Sequence, residues 1–267
     1  MAVIFLIKTN NLEDTTIVNN GRSCMKELVV DVTGVEEVIL VKYKHDFNKL
    51  FYEKEGIFTE LEMGGNRYFL LAYNKQLEVK VKSTLLSLVC CVVREQFKSK
   101  FIYENLTFRD KNSFKFKLLI KVLSCFDREY DDKKIKENFK LSSCICVFSL
   151  VYFRLGFLKE KWKEIVSFTN KNSGCFLFNE PFFEFVRFVI SSLEFQEECL
   201  SLVEEDGCYC IISGKETIDK INKENKVDLI FRLLVNNPRR INILVKSCDI
   251  VEFLNSLFEK RVDIVQN

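Results

Sequence analysis

Only 9 Gly and 2 Pro occur in 267 residues. Average proteins hold roughly three times that share of the two residues, which break helices and strands. Few breakers predict long elements joined by plain loops. The same scarcity argues against a Gly-rich phosphate loop, and no G-x-x-x-x-G-K stretch occurs.

Charge and hydropathy narrow the class. Forty basic residues face 38 acidic ones, for a formal net charge of +2, and 48% of residues are hydrophobic. This excludes a disordered tail and a strongly basic nucleic-acid protein. The 26 Phe residues stand beside only two Ala, at Ala2 and Ala72. Codon bias of an AT-rich genome accounts for that balance, and most Phe is read as core filler. Met1–Ile7 has no basic leader and no small-residue cleavage site. The 11 cysteines are therefore expected as reduced thiols in a cytoplasmic protein.

The first 75 residues read as strand-rich. Ala2–Lys8, Glu27–Val32, Glu37–Tyr43 and Tyr68–Tyr73 carry Val, Ile and Leu runs. His45–Glu55 reads as a short helix, and Met63–Asn66 is the clearest turn. From 76 to 197 the pattern turns helical. One helix is expected from Gln76 to Asn105 and a second over Phe114–Asp127. The charged run Tyr130–Lys140 reads as a loop or a solvated helical turn. A single stripe runs through Val147, Val151, Leu155, Leu158, Trp162 and Ile165, and a helix follows over Pro181–Phe195. The segment Leu141–Leu158 holds only one charge, Arg154, and is assigned to a buried helix rather than a membrane span. Residues 198–267 mix a hairpin around Glu205-Asp206-Gly207 with a strand–helix–strand unit predicted to pair in parallel. The fold class is thus α+β: a helical middle between a strand-rich N-terminal part and a small mixed C-terminal part, as three regions or one continuous domain.

Chemistry is sparse. His45 is the only histidine, so any His-based nucleophile or zinc site would rest on it alone. Cys90-Cys91, Cys144-x-Cys146 and Cys208-x-Cys210 lack the C-x₂-C spacing of zinc ribbons. On a helix Cys144 and Cys146 would point apart; on a strand Cys208 and Cys210 would share a face and pack. No catalytic constellation, cofactor motif or metal motif emerges.

Arg154 shares a helical face with Leu150, Val151 and Leu158, so a partly buried ion pair with Glu184 or Glu194 is expected. Between Arg94 and Lys121 stand eight basic and three acidic residues interleaved with aromatics. That stretch offers a candidate nucleic-acid face built on Lys98, Lys100, Lys115, Lys117 and Lys121.

The residues from Phe148 onward resemble the YtxC-like sporulation proteins of endospore-forming bacteria. Val151-Tyr-Phe-Arg-Leu155 looks like that family's aromatic-Arg-Leu helix, and Phe183-Glu-Phe-Val186 resembles its next helix. Glu205-Asp-Gly-Cys-Tyr209 is similar to its hairpin, and Asp228 to Ile241, through Pro238, resembles its closing helix, Pro and strand. The similarity runs in order over residues 70–265; Gly156 and the Cys-rich 144–146 stretch depart from it. The family has no established activity, so no catalytic residue carries over. The resemblance implies a cytosolic sporulation protein. Arg154, Glu184 and Pro238 are marked as structural or partner-contacting residues. The expected function is a non-enzymatic interaction or regulatory role with an unidentified protein partner and no insertion into a membrane; nucleic-acid binding through the basic face is the alternative.

Overall fold

The computed structural model describes residues 25–264, except 53–55, 175, 177 and 246. The predicted strand Ala2–Lys8 lies outside them. The fold is α+β, built on two mixed sheets.

The first sheet has the order β2-β3-β1-β4. Strand β1 (Lys26–Asp31) pairs antiparallel with β3 (Asn66–Tyr73), which forms a hairpin with β2 (Gly56–Met63). Gly64 and Gly65 take positive φ in its turn, where a Cβ would be strained. Between β1 and β2 the chain makes helix α1 (Glu37–Tyr52), not the expected strand over Glu37–Tyr43. Its β-branched Val-Ile-Leu-Val start suggested a strand. Ile39, Leu40, Tyr43, Phe47 and Phe51 are buried at helical spacing, and that longer period decides the outcome.

The long middle helix forms as expected but in three parts: α2 (Glu78–Val92), a π-turn (Val93–Lys98) and α3 (Ser99–Asn105). In the π-turn Ser99 N–H reaches the Arg94 carbonyl, five residues back. After α4 (Phe114–Cys125) comes α5 (Arg128–Asn138), a full helix where a loop or a solvated helical turn was expected. Its sequence is almost wholly polar, and only Arg128, Asp131 and Ile135 turn inward. The single helix expected over 147–165 is divided. Three residues, Cys144–Cys146, form strand β4, parallel to β1. Helix α6 (Val147–Arg154) stops before Gly156, and α7 (Leu158–Lys171) follows. Cys144 and Cys146 thus lie on a strand, not a helix. Helix α8 (Asn179–Ser192) carries Pro181 in its first turn.

The second sheet has the order β7-β6-β5-β8-β9. Strands β5 (Glu197–Glu205) and β6 (Cys208–Ser213) make the expected hairpin, and β7 (Glu216–Asn222) extends it. Helix α9 (Lys226–Asn236) leads to β8 (Pro238–Leu244), parallel to β5. Helix α10 (Cys248–Phe258) crosses to β9 (Val262–Ile264), the predicted parallel partner of β8.

Two hydrophobic cores result. One packs α1, α2 and the buried face of α6 on the first sheet and includes Phe47, Phe69, Leu85 and Trp162. The other packs α4, α8, α9 and α10 on the second sheet and includes Phe116, Phe182, Phe231 and Leu254. Phe101 of α3 touches both.

Candidate docking cleft at the edge of the first sheet

Between the two cores lies a seam of buried charge centred on the π-turn. The Lys98 side chain is 0% exposed, and its ammonium donates to Asp131 Oδ2 at 2.7 Å and to the Phe126 carbonyl. Trp162 Nε1 donates to the other Asp131 oxygen at 3.2 Å. Burial pushes the Asp131 carboxyl above the usual aspartate range, and the Lys98 ammonium opposes that push. Glu95 holds Arg232 at 3.1 Å, and Arg232 reaches on to Asp219 at 3.7 Å. Arg128 donates to the carbonyls of Val235 at 2.8 Å, Leu234 at 3.2 Å and Glu194. It thereby satisfies acceptors that the last turn of α9 leaves without helical donors. Cys90, Cys91 and Cys125 lie beside the seam, and burial raises all three thiols, Cys91 to about 12. These thiols are held protonated, which makes them poor nucleophiles. The seam is closed, and it joins the two halves of the molecule.

The open feature lies elsewhere. Among the described residues strand β4 is the last strand of the first sheet. A cleft of about 310 Å³ runs along it, lined by Lys140, Cys144, Ile145, Cys146, Phe153 and Arg154 among others. The floor is apolar, from Phe139, Ile145 and Leu150, all buried. Phe153 stands at the mouth, 87% exposed. Cys146 is the N-cap of α6, and its Sγ accepts the Ser149 N–H at 3.5 Å.

Arg154 departs from its expected role. It is exposed and has no carboxylate partner among the described residues; Glu184 and Glu194 are exposed on other elements. The break at 155–157 ends α6 just beyond Arg154, so the stripe that would have carried it inward stops. Pro238 is buried and opens β8 opposite Glu197, where its missing N–H costs no ladder bond within the strand. The structure does not bring Arg154, Glu184 and Pro238 together in one site.

The predicted basic face is dispersed. Lys98 is buried in the seam and cannot meet a phosphate. Lys115 lies over the Phe182 ring and Lys121 over the Phe231 ring, the latter at 4.3 Å. Lys100 and Lys117 alone of the five are fully exposed. The interleaved aromatics also turn to protein partners: Phe97 to Phe148, Phe101 to Trp162, and Tyr103 and Phe108 to Phe116. Lys117, Lys121 and Lys226 do line one groove, but Glu224 and Asp228 line it with them.

Among the described residues no cluster of three or more His, Cys, Asp or Glu could hold a metal ion, and no helix is long and apolar enough to cross a membrane. The β4 cleft was not foreseen; its sequence signal is an isolated Cys-Ile-Cys between Lys140 and Arg154. Comparison with protein-family models, curated proteins and solved structures returns no match.

Proposed function

We propose that the chain is a cytoplasmic, non-enzymatic interaction or regulatory protein that receives a protein partner on the β4 edge. The process is sporulation, on the strength of the resemblance to the YtxC-like proteins. The observation that carries the docking reading is the edge of β4, which no strand covers among the described residues, bordered by a cleft floored by Phe139, Ile145 and Leu150 and by the exposed Phe153 ring. Exposed strand edges pair with incoming chains unless they are covered, and large exposed aromatics anchor interfaces. The interior charges lie in the closed seam, away from this cleft.

The test is an affinity capture of the tagged full chain from sporulating cells, with and without nuclease, using the natural chain and Phe153→Asp. The same proteins should survive nuclease with the natural chain and be lost with Phe153→Asp. Partners that disappear with nuclease, or that Phe153→Asp retains in full, would contradict the reading. The second reading is nucleic-acid binding in the Lys117, Lys121 and Lys226 groove. Three lysines support it and two carboxylates offset them. It predicts binding to single-stranded RNA or DNA that weakens steeply with salt.

A further inference from the structure

We infer that the occupant of the β4 cleft is an extended, acidic segment of a partner protein, laid along β4 as a further strand of the first sheet. This rests on the docking reading above and adds the chemistry of the partner.

The backbone argues for an extended occupant. Val29 N–H donates to the Ser143 carbonyl at 3.0 Å, and Val29 pairs with Cys144 in parallel register. In a parallel ladder, alternate residues of a strand bond to one neighbour. Ser143 and Ile145 therefore bond inward to β1, and the N–H groups of Cys144 and Cys146 face the outer edge, while the Cys144 carbonyl accepts the Ser142 hydroxyl at 2.6 Å and the Cys146 carbonyl opens helix α6. Among the described residues the sheet has no strand beyond β4. An incoming strand finds those two donors and places alternate side chains toward the apolar floor.

The charges argue for an acidic one. Lys140 and Arg154 line the cleft, and none of its lining residues is acidic. Neither cation has a carboxylate partner among the described residues. Elsewhere on the surface cations are commonly paired: Lys134 with Glu137, Lys161 with Glu164, Lys163 with Glu160, and Arg187 with Glu180. The nearest carboxylate along the sheet is Asp31, opposite Cys146, and it is engaged by its own loop, accepting the Thr33 N–H at 2.9 Å. Two uncompensated cations flanking a strand edge repel a basic chain and draw in a carboxylate-bearing one.

The test uses the full chain and fluorescein-labelled peptides, read by anisotropy. The probe is Glu-Val-Glu-Phe-Glu-Val-Glu. Its controls are the same peptide with Lys for Glu, and the acidic peptide N-methylated at alternate residues. The acidic peptide should bind, the other two should bind at least about tenfold more weakly, and Lys140→Glu with Arg154→Glu should weaken the acidic peptide by a similar factor. Equal binding of the Lys peptide, indifference to N-methylation, or indifference to the charge reversals would overturn the inference. So would sedimentation showing a dimer of this chain that Phe153→Asp disperses, because the edge would then serve a second copy. If Phe153→Asp abolishes cellular capture while the peptides fail these criteria, the acidic inference falls and the docking reading stands. If Phe153→Asp spares capture, the docking reading itself falls.

Discussion

Replacing Lys98 by Met tests the seam directly. The side chains of Lys98 and Asp131 are 0% and 4% exposed and meet at 2.7 Å. Methionine fills similar volume but leaves the carboxylate with the Trp162 N–H alone. Breaking a buried pair from one side costs about 3–5 kcal/mol, chiefly for the charge left behind. At about 2–4 °C per kcal/mol for a chain of this size, Tm should fall by about 6–20 °C. The loss should also depend on pH. Burial already holds the Asp131 carboxyl above its unfolded value, and removing the ammonium raises it further. A carboxyl with a raised folded pKa binds its proton more tightly in the native state, so stability falls as pH rises through the window above about 4. The deficit of Lys98→Met should be full near neutrality and shrink as pH falls toward about 4. Adding Asp131→Asn should restore much of the loss, since Asn still accepts the Trp162 N–H and carries no charge. Urea titrations followed by circular dichroism measure the global change. Fluorescence reports the seam itself, because Trp162 is the only tryptophan. A cost below about 1 kcal/mol, a deficit unchanged between acid and neutral pH, or a double variant no more stable than the single one would refute the reasoning.

Three further outcomes follow from single contacts. Arg128→Met leaves the carbonyls of Leu234 and Val235 without the guanidinium, while the Glu194 carbonyl keeps the Asn237 amide at 3.0 Å, and should cost about 2–4 kcal/mol in chemical denaturation; a change under about 0.5 kcal/mol would show that water replaces the guanidinium. Gly34→Ala forces a Cβ into φ +79° and to within 3.1 Å of the Phe148 ring, and should cost about 1–3 kcal/mol by thermal melting; no loss would mean the turn relaxes. Brief alkylation mapped by mass spectrometry should mark the exposed Cys144 and Cys248 well before the buried Cys91 and Cys125, whose thiols burial holds protonated; early labelling of Cys125 would place the seam open to solvent.

What could be read from the sequence follows from what kind of surface each element buries. Helices α9 and α10 bury apolar stripes that their period reveals, whereas the stripe of α7 runs on from that of α6 and period merges the two. Helix α5 buries Arg128 and Asp131 beside Ile135. Its inward face is ionic, and hydrophobic periodicity is silent there. Helix α1 was obscured by its first turns, whose Val and Ile mimic a strand until Phe47 and Phe51 are counted with them. Strand β7 is exposed at four of its seven residues and gives little alternation. Strand β4 is too short for any period to register, and its apolar neighbours absorb it into the helix that follows. That merger hid the cleft. Continuing one helix through Gly156 turns Arg154 inward toward a carboxylate, whereas the actual break leaves it at the mouth of the cleft. The residues of the cleft are close in sequence; its edge exists only because β4 pairs with a strand more than a hundred residues earlier.

The seam and the cleft are connected through the chain between Asp131 and Trp162. The Asp131 carboxylate accepts from both the Lys98 ammonium and the Trp162 indole N–H. The segment between Asp131 and Trp162 includes the whole cleft, from Phe139 to Arg154. Its own hold on the sheet is slight, a three-residue ladder to β1. Such an edge would fray unless its ends were fixed elsewhere. The Lys98–Asp131–Trp162 contact fixes both ends against the π-turn, in a long helix that, like α7, contributes to both cores. A buried ion pair adds little net stability over an apolar replacement, so its value here is positional. Holding β4 in place before a partner arrives reduces the ordering cost of pairing, which is the main penalty for a short strand edge that must recognise a flexible segment.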